Sequence, residues 1–497
     1  MHFRYHRHFR CLCLVILAAF PLVAQARGLA PAAGSEDLEQ SAVQLRKHYA
    51  AALQELAQWC ESHELKTEAQ RTRACLAPTD PYKLFVPVLL KRVGSANLPV
   101  GSSADQSEWA TRLTRLRRDQ ANASYELARR AARGGRASLA YELTLWAIYA
   151  NPDHDAVRRL IGQQKLKGQW CSLYDARKLR AGMVYHPKFG WLQQAHVARY
   201  EQGLRYSGGK WISAEEDARL HADIRSGWDV ETEHYTIRTN HSLEAGVALG
   251  RKLEKLYELW SQLFVRYYAT AEQVIAQFDG RRGPGAELPR HQVVYFRNQN
   301  DYNHALGTAF PNIDKTIGAY LQQTRRAYFF AGPEADDRTI YHEATHQLFH
   351  ESRPIVADVG RRWNFWVVEG IAMYMESLRE QDGFYVLGGF DDQRVHAAQY
   401  RLLNDNFYVP LSDFTSYGME RLQTDPRVAT LYSQAAGLTN FLVFAQNGRY
   451  RDALVAYLVV VYSGRDEPGT LSGLTSTNYS DLDRQYRHYM EAAPKTP

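Results

Sequence analysis

The stretch Tyr341-His342-Glu343-Ala344-Thr345-His346-Gln347 sets two histidines four residues apart, with a glutamate directly after the first. On a helix, residues at that separation share a face, so His342 and His346 can offer two neutral imidazoles to one zinc ion. Glu343 then sits one step round the helix, where its carboxylate can take a proton from water. Zinc brings the pKa of a coordinated water from about 15.7 to about 7, and a neighbouring carboxylate completes the making of a nucleophile. The pattern is only five residues long, so its weight depends on what accompanies it.

The companion is Trp366-Val367-Val368-Glu369-Gly370-Ile371-Ala372-Met373-Tyr374-Met375-Glu376, in which Glu369 lies 23 residues after His346. A catalytic zinc takes three protein ligands and keeps one position open, and two histidines with one glutamate are a standard set. Arg353-Pro354 and Gly360 interrupt the chain between the motifs, so a second helix can turn back to face the first. Glu369 is surrounded by Trp, Val, Ile, Ala and Met. A carboxylate there without a partner would be costly, which favours a ligand over a surface or capping role.

These residues need a frame. From about residue 229 the pattern reads as a strand at 234–239, a long amphipathic helix at 243–268 and a second strand at 292–297. Two further strands follow at 317–320 and 327–330, and the Gly/Pro-rich segment 279–289 reads as a surface loop. Upstream, residues 37–165 carry Ala, Leu and Arg at helical spacing. An αα-hairpin is expected from Ala121–Arg133 and Ala137–Ala150 around Gly134-Gly135, the second helix being similar to one helix of a tetratricopeptide repeat. The stretch 80–106, with Pro81, Pro87, Pro99 and Gly101, reads as a long connection.

Between them, Gly168-Gln169-Trp170-Cys171-Ser172 is echoed by Gly209-Lys210-Trp211-Ile212-Ser213, and Phe189-Gly190-Trp191 adds a third Gly/Trp element. Glycine before a large aromatic suits small β-hairpins with packed anchors; a sugar- or peptide-binding aromatic surface is the sharper alternative. The fold class expected is α+β. A gluzincin-like unit at 229–497 (small mixed sheet, two active-site helices, helical C-terminal lobe) follows a mainly α accessory region at 27–165 and hairpin modules at 166–228.

The name of that unit rests on a resemblance. The two motifs resemble the gluzincin metallopeptidases, in which H-E-x-x-H precedes a helix reading W-x-x-E-G-x-A-x-Y; Trp366, Glu369, Gly370, Ala372 and Tyr374 match position by position. The resemblance implies zinc ligands His342, His346 and Glu369, with Glu343 as general base. The spacing between motifs is longer than in aminopeptidase N-like enzymes, and their G-x-M-E-N motif is absent. Ile317-Gly318-Ala319-Tyr320 stands in its place with no carboxylate to hold a free amino terminus, so the expectation is an endopeptidase. Over roughly 229–490 the chain is similar to a bacterial family of secreted MA-like peptidases carrying the domain of unknown function numbered 1570. That likeness includes Tyr432-Ser433-Gln434-Ala435-Ala436-Gly437-Leu438 and the Gly448-Arg449-Tyr450-Arg451 turn.

Gluzincins commonly add a Tyr or His that stabilises the developing oxyanion. Tyr432 is the first choice for that catalytic role, because it begins a helix that the resemblance places over the cleft; Tyr417 and Tyr320 are the reserves. Glu376, two turns beyond Glu369, is either an orienting partner of a ligand or a surface carboxylate. His350 extends the histidine stripe, but eight residues rotate it about 80° from His342, so it reads as a neighbour of the site.

Composition bounds the rest. The chain has 497 residues, 45% hydrophobic and 23% charged, which excludes wholesale disorder. Arg4, Arg7 and Arg10 precede the apolar run Cys11 to Ala24, and Ala24-Gln25-Ala26 supplies a cleavage site, so residues 1–26 read as a secretory signal. The protein is then exported, periplasmic or extracellular, with no stable membrane span. Removing the signal leaves 60 − 3 = 57 basic and 54 acidic residues, a formal +3 that predicts no nucleic-acid partner. In an oxidising compartment Cys60 and Cys75 are expected to pair, with Cys171 left as an inert thiol. A peptide or protein substrate fits the leading reading. The alternatives are a non-hydrolytic zinc-containing binding or scaffold protein of the cell envelope, which an intact Glu343 disfavours, and a helical scaffold with a fortuitous motif.

Overall fold

Local signals in the sequence start most of the elements. Asp37 caps α1 (Leu38–Ser62) by accepting from the Gln40 amide, and α2 (Lys66–Arg73) folds back on it. A computed structural model describes residues 37–93, 101–281, 289–310, 313–333 and 335–494 of the chain. The expected secretory signal lies outside the described residues, as do 94–100 and 282–288 of the two expected connections.

The stretch read as connection contains a strand, β1 (Lys83–Pro87), whose partner lies some 300 residues away. Its composition misled because Pro81 and Pro87 flank an alternating Leu84/Val86 pair whose side chains are buried. A reciprocal Ser103–Gln106 capping box starts α3 (Ala104–Arg133) well ahead of Ala121, and Gly134-Gly135 turns the chain into α4 (Ala137–Ala150).

Cys60 and Cys75 do not pair. All three described cysteines are free thiols. Cys60 faces inward with Leu56, Ala69 and Trp109, whereas Cys75 lies past the end of α2, lining a cleft with Tyr49 and Tyr149. The helix that carries Cys60 and the turn that carries Cys75 aim the two thiols at different surroundings. Cys171 is buried, its thiol donating to the Gln164 carbonyl, and burial pushes its pKa up.

Three ββα modules come next, one more than the clear sequence echo. They are β2 (Gln163–Leu166), β3 (Gln169–Ser172) and α5 (Leu173–Arg180); β4 (Met183–His186), β5 (Gly190–Gln193) and α6 (Val197–Glu201); β6 (Leu204–Ser207), β7 (Lys210–Ser213) and α7 (Ala214–Leu220). The echo acquires a physical meaning here. In each module the Trp is a cross-strand partner: Lys165 opposite Trp170, Tyr185 opposite Trp191, Tyr206 opposite Trp211. Ser172 and Ser213 cap the helices that follow them. In the second module Gln193 replaces the serine, and a turn of 3₁₀-helix with no side-chain cap precedes α6.

Strands β8 (Trp228–Glu231) and β9 (Tyr235–Thr239) then lead into α8 (Leu243–Leu263), which Ser242 caps. After β10 (His291–Phe296), β11 (Ala319–Leu321) and β12 (Arg326–Phe330), a five-stranded sheet is complete in the order β11-β12-β10-β9-β8. Its three central strands run parallel and both edge strands antiparallel, so β11 presents a free edge. Two helices follow, α9 (Asp337–Glu351) and α10 (Phe365–Glu376), then a hairpin of β13 (Arg379–Gln381) and β14 (Phe384–Gly388), to which β1 adds as third strand. Helices α11 (Gln393–Leu403), α12 (Val428–Gly448), α13 (Arg451–Tyr462) and α14 (Tyr479–Ala492) form the C-terminal lobe. The fold is α+β, as expected.

All twelve residues of α10 are buried, and one core runs from the sheet and α8 through α9 and α10 to α12 and α14. Among the described residues α12 is one helix long and apolar enough to cross a membrane; 72% of its apolar window is buried inside the protein, as a core helix requires. It ends at a break where Gln446 and Asn447 take left-handed backbone angles.

Candidate metal centre

The two motif helices are fixed by different means. Asp336 caps α9 through the Thr339 amide, starting the helix one residue before Asp337. The start of α10 is pinned by Asn364, left-handed at φ 56° and fully buried. Its side-chain amide donates to Asp466 (2.8 Å) and the Glu467 carbonyl (3.1 Å), and its oxygen accepts from the Tyr457 hydroxyl. Trp366 stacks on Phe414 beneath it. These contacts settle the rotation of α10 about its own axis, and hence the aim of Glu369.

That aim brings the three expected ligands together. His342, His346 and Glu369 offer ligand atoms that all lie within 4.8 Å of one another. The two imidazole Nε2 atoms are 3.1 Å apart, and the Glu369 carboxylate is 3.5 Å from one and 3.8 Å from the other. Bonds of about 2.0–2.1 Å at a tetrahedral angle would set two such nitrogens about 3.3 Å apart, so the donor set fits a single small cation.

Glu376 is the orienting residue rather than a surface carboxylate. His342 Nδ1 lies 2.8 Å from Glu376 Oε1, which aims Nε2 at His346 and Glu369. Arg394 reaches the same carboxylate with Nε (3.0 Å) and Nη2 (3.2 Å), and Arg338 with Nη2 (3.2 Å). Burial opposes the Glu376 charge, but the bonds from His342 and Arg394 outweigh it and hold the pKa at about 2. Burial likewise disfavours a proton on His342, and Glu369 with Glu376 overcomes it and raises its proton affinity. At His346 burial wins and the imidazole is held neutral, the form that coordinates a cation.

Glu343 points into the same space. Its Oε2 accepts the main-chain amide of Tyr320 at 2.7 Å, tying the motif helix to the free edge strand β11. Burial raises the pKa of Glu343, tempered by His342 and that amide. A second buried group secures the strand from the other side. The Tyr320 hydroxyl donates to Glu351 (3.3 Å), which also pairs with buried His291 (2.7 Å) and accepts from Gln347 (3.2 Å).

The remaining candidates divide. Tyr432 sits half-buried in the second turn of α12, which begins at Val428 rather than at the tyrosine. Its hydroxyl pKa is raised by burial first and then by the charges of Glu369 and Glu343, which it therefore senses, while the neighbouring Gln423 tempers the rise. Tyr417 is buried against Phe414, with the Arg421 guanidinium 3.7 Å over its ring. His350 lies between the rings of Tyr320 and Tyr462, and burial lowers its pKa to about 4. Arg338, Arg394 and the Tyr320 amide were not visible in the sequence. They meet Glu376 and Glu343 across 18 to 38 residues of chain, a tertiary fact with no local signal.

Fold and site together define a mixed α+β protein in which two half-buried histidines and a buried glutamate form a group able to hold a metal ion. Residues 336–463 match a protein family described as "Protein of unknown function (DUF1570)", which links that segment to the family. The matched stretch runs from the cap of α9 to the residue closing α13, narrower than the 229–490 expected from the likeness. No curated protein matches the chain.

Proposed function

We propose that the chain is an exported zinc-dependent peptidase of gluzincin type that cuts within peptide chains. The observation that carries this reading is the convergence of His342 and His346 Nε2 atoms at 3.1 Å beside the Glu369 carboxylate, with Glu343 next to them. When bound, zinc supplies Lewis acidity, polarising the scissile carbonyl and acidifying water. Glu343 accepts the proton of the attacking water and returns it to the leaving amine, a transfer its raised pKa favours. An extended substrate adds to the free edge of β11 through main-chain hydrogen bonds, which sets the peptide's register against Glu343. The Tyr432 hydroxyl, which senses Glu369 and Glu343, donates to the developing oxyanion.

Metal analysis of purified protein is the first test. About one equivalent of zinc is expected, and under half an equivalent in wild type would remove the basis for the reading. Glu343→Gln should keep its zinc and lose hydrolysis of a peptide library, whereas Glu369→Ala should lose most of the metal. Chelator should abolish cleavage, and added zinc restore it. Export belongs to the same proposal: mass spectrometry of the secreted chain should find it beginning at Arg27.

A further inference from the structure

A second cleft, lined by none of the metal-centre residues, opens where the N-terminal helices meet the three-stranded sheet. One side of it is helical: Tyr49 of α1, Cys75 past the end of α2, Arg117 of α3, and Ile148 and Tyr149 of α4. The other side is the turn between β13 and β14, with Phe384, and residues 87–90 run on from β1 along it. The two sides are tied together. The Val88 amide donates to the Gly383 carbonyl at 2.9 Å, and the rings of Tyr149 and Phe384 lie 5.2 Å apart. The cleft measures about 410 Å³, the size of a small-molecule site rather than of a packing flaw.

Its charged lining is two cations and two anions, Arg117, Arg158, Glu380 and Asp382, and one of each is already committed. Arg158 is fully buried and gives its guanidinium to the Pro152 carbonyl (2.8 Å), the Gln163 side chain (2.6 Å) and the Leu90 carbonyl (3.0 Å). Glu380 pairs with Lys255 at 2.6 Å. Arg117 engages only its Nε, which donates to the Ala150 carbonyl at 2.8 Å, and it makes no ion pair among the described residues. Asp382, exposed at a left-handed turn position (φ 50°), accepts from its neighbour Gln381 at 3.4 Å and meets no cation among the described residues. A free cation on the helical side and a free carboxylate on the sheet side therefore share one cleft.

Tyr49 adds a donor. Its hydroxyl is buried with no hydrogen-bond partner among the described residues. Burial and then the Cys75 thiol push its pKa up, while Arg117 is near enough to oppose them, so the hydroxyl stays protonated close to the guanidinium. A buried donor left without an acceptor is costly, and a carboxylate would answer both groups. The rest of the lining is largely apolar, and Leu90, 58% exposed, is the most open large apolar side chain among the described residues. We infer that the cleft binds a short apolar peptide with both termini free, its carboxylate on Arg117 and the Tyr49 hydroxyl, its ammonium on Asp382 and its side chains on Leu89, Leu90 and Phe384. An apolar anion such as a fatty acid would bring nothing to Asp382, and an apolar cation nothing to Arg117. The inference stands whether or not the metal centre hydrolyses peptides.

Cys75 reports on the cleft directly, because Cys60 and Cys171 are buried. The full chain is alkylated with N-ethylmaleimide, and modification of the Cys75 peptide is followed by mass spectrometry as Leu-Leu is added. Leu-Leu should slow the labelling several-fold at saturation. Isothermal titration calorimetry should find N-acetyl-Leu-Leu and Leu-Leu amide, each lacking one terminal charge, weaker by about tenfold, the scale of a lost charged hydrogen bond. Arg117→Gln should weaken Leu-Leu by a similar factor and erase its advantage over the amide; Asp382→Asn should erase its advantage over the acetylated form. Arg117→Lys should keep part of the affinity. Asparagine tolerates the left-handed turn, so Asp382→Asn should fold even if Arg117→Gln does not, and thermal melting checks both. Chelator treatment should leave the affinity unchanged. No binding at millimolar Leu-Leu, binding without protection of Cys75, binding lost with the metal, equal protection by octanoate, or affinity indifferent to Asp382→Asn would overturn the proposal.

Discussion

Glu376 shows how a single side chain can set the geometry of a candidate metal site without belonging to its His-His-Glu group. It takes one bond from His342 and four from two arginines, so its charge is fixed and with it the orientation of the His342 ring. Glu376→Gln keeps the shape and removes that charge; the guanidinium groups then face a neutral acceptor, Arg338 keeping Asp392 at 3.3 Å, and His342 loses the anion that holds its Nδ1. Metal affinity should fall ~10–100-fold, measured by zinc titration against a competing chelator. Acidity should act through the same group. The proton affinity of His342 is raised by the two glutamates, so at neutral pH an incoming cation must displace a proton. Apparent affinity should therefore rise with pH, by up to about tenfold per unit while one proton leaves per ion. An affinity flat between pH 6 and 8 would contradict that protonation state. The cluster was legible because residue type and spacing place it: His342, Glu343, His346 and Glu369 need only two helices to meet. Glu376 was half-legible, from its position on the face of Glu369. Its arginines were not, because nothing local announces a partner reached through folding.

At the scale of elements, the crossing of α10 and α12 is set by the absence of a side chain. A Cβ on Gly370 would lie 2.4 Å from Thr439 Oγ1 and 3.0 Å from the Ala435 carbonyl, neither of which can retreat within a buried helix. The glycine that follows Glu369 in the motif is thus a packing requirement of the helix carrying the ligand. Gly370→Ala should push α10 away from α12, costing ~1–3 kcal/mol as overpacking does, and should displace Glu369 enough to lower zinc occupancy. Thermal melting with parallel metal analysis would show both losses; Thr439→Ala in the same chain should recover part of each. Elements that obey a period were also readable, including the αα-hairpin, the sheet strands and the hairpin modules. β1 was not, since a five-residue strand flanked by prolines looks like linker until its partner β14 is known. The Cys60–Cys75 pairing failed for a related reason: separation in sequence says nothing about which surroundings each thiol faces.

For the whole molecule, the question is what joins the N-terminal helices to the lobe that supports the metal centre. β1 completes the β13–β14 sheet, and Asp452 at the start of α13 accepts from the Ser138 amide (3.1 Å), serving the first turn of α4 from the other end of the chain. Between them, Glu142 on α4 is clamped by Arg46 of α1 and Arg451 of α13. Burial alone would raise the pKa of this carboxyl, but Arg451 and then Arg46 outweigh it and hold it at about 2, below the ordinary 4.5. A carboxyl depressed in the folded state contributes stability that is present above its unfolded value and lost as pH falls through the folded one. For Glu142 that window runs from about 4.5 down to about 2, and the contribution is on the order of 3 kcal/mol. Glu142→Gln removes the charge while leaving two half-buried guanidinium groups without their anion, so stability near pH 7 should fall by ~3 kcal/mol. Between pH 4.5 and 2 the wild type should lose stability more steeply than the variant, so that the two unfolding curves converge in acid. Urea denaturation across that range measures both effects. Parallel curves, with the same gap at every pH, would mean that Glu142 acts only by filling space and that the two halves of the chain are held together elsewhere.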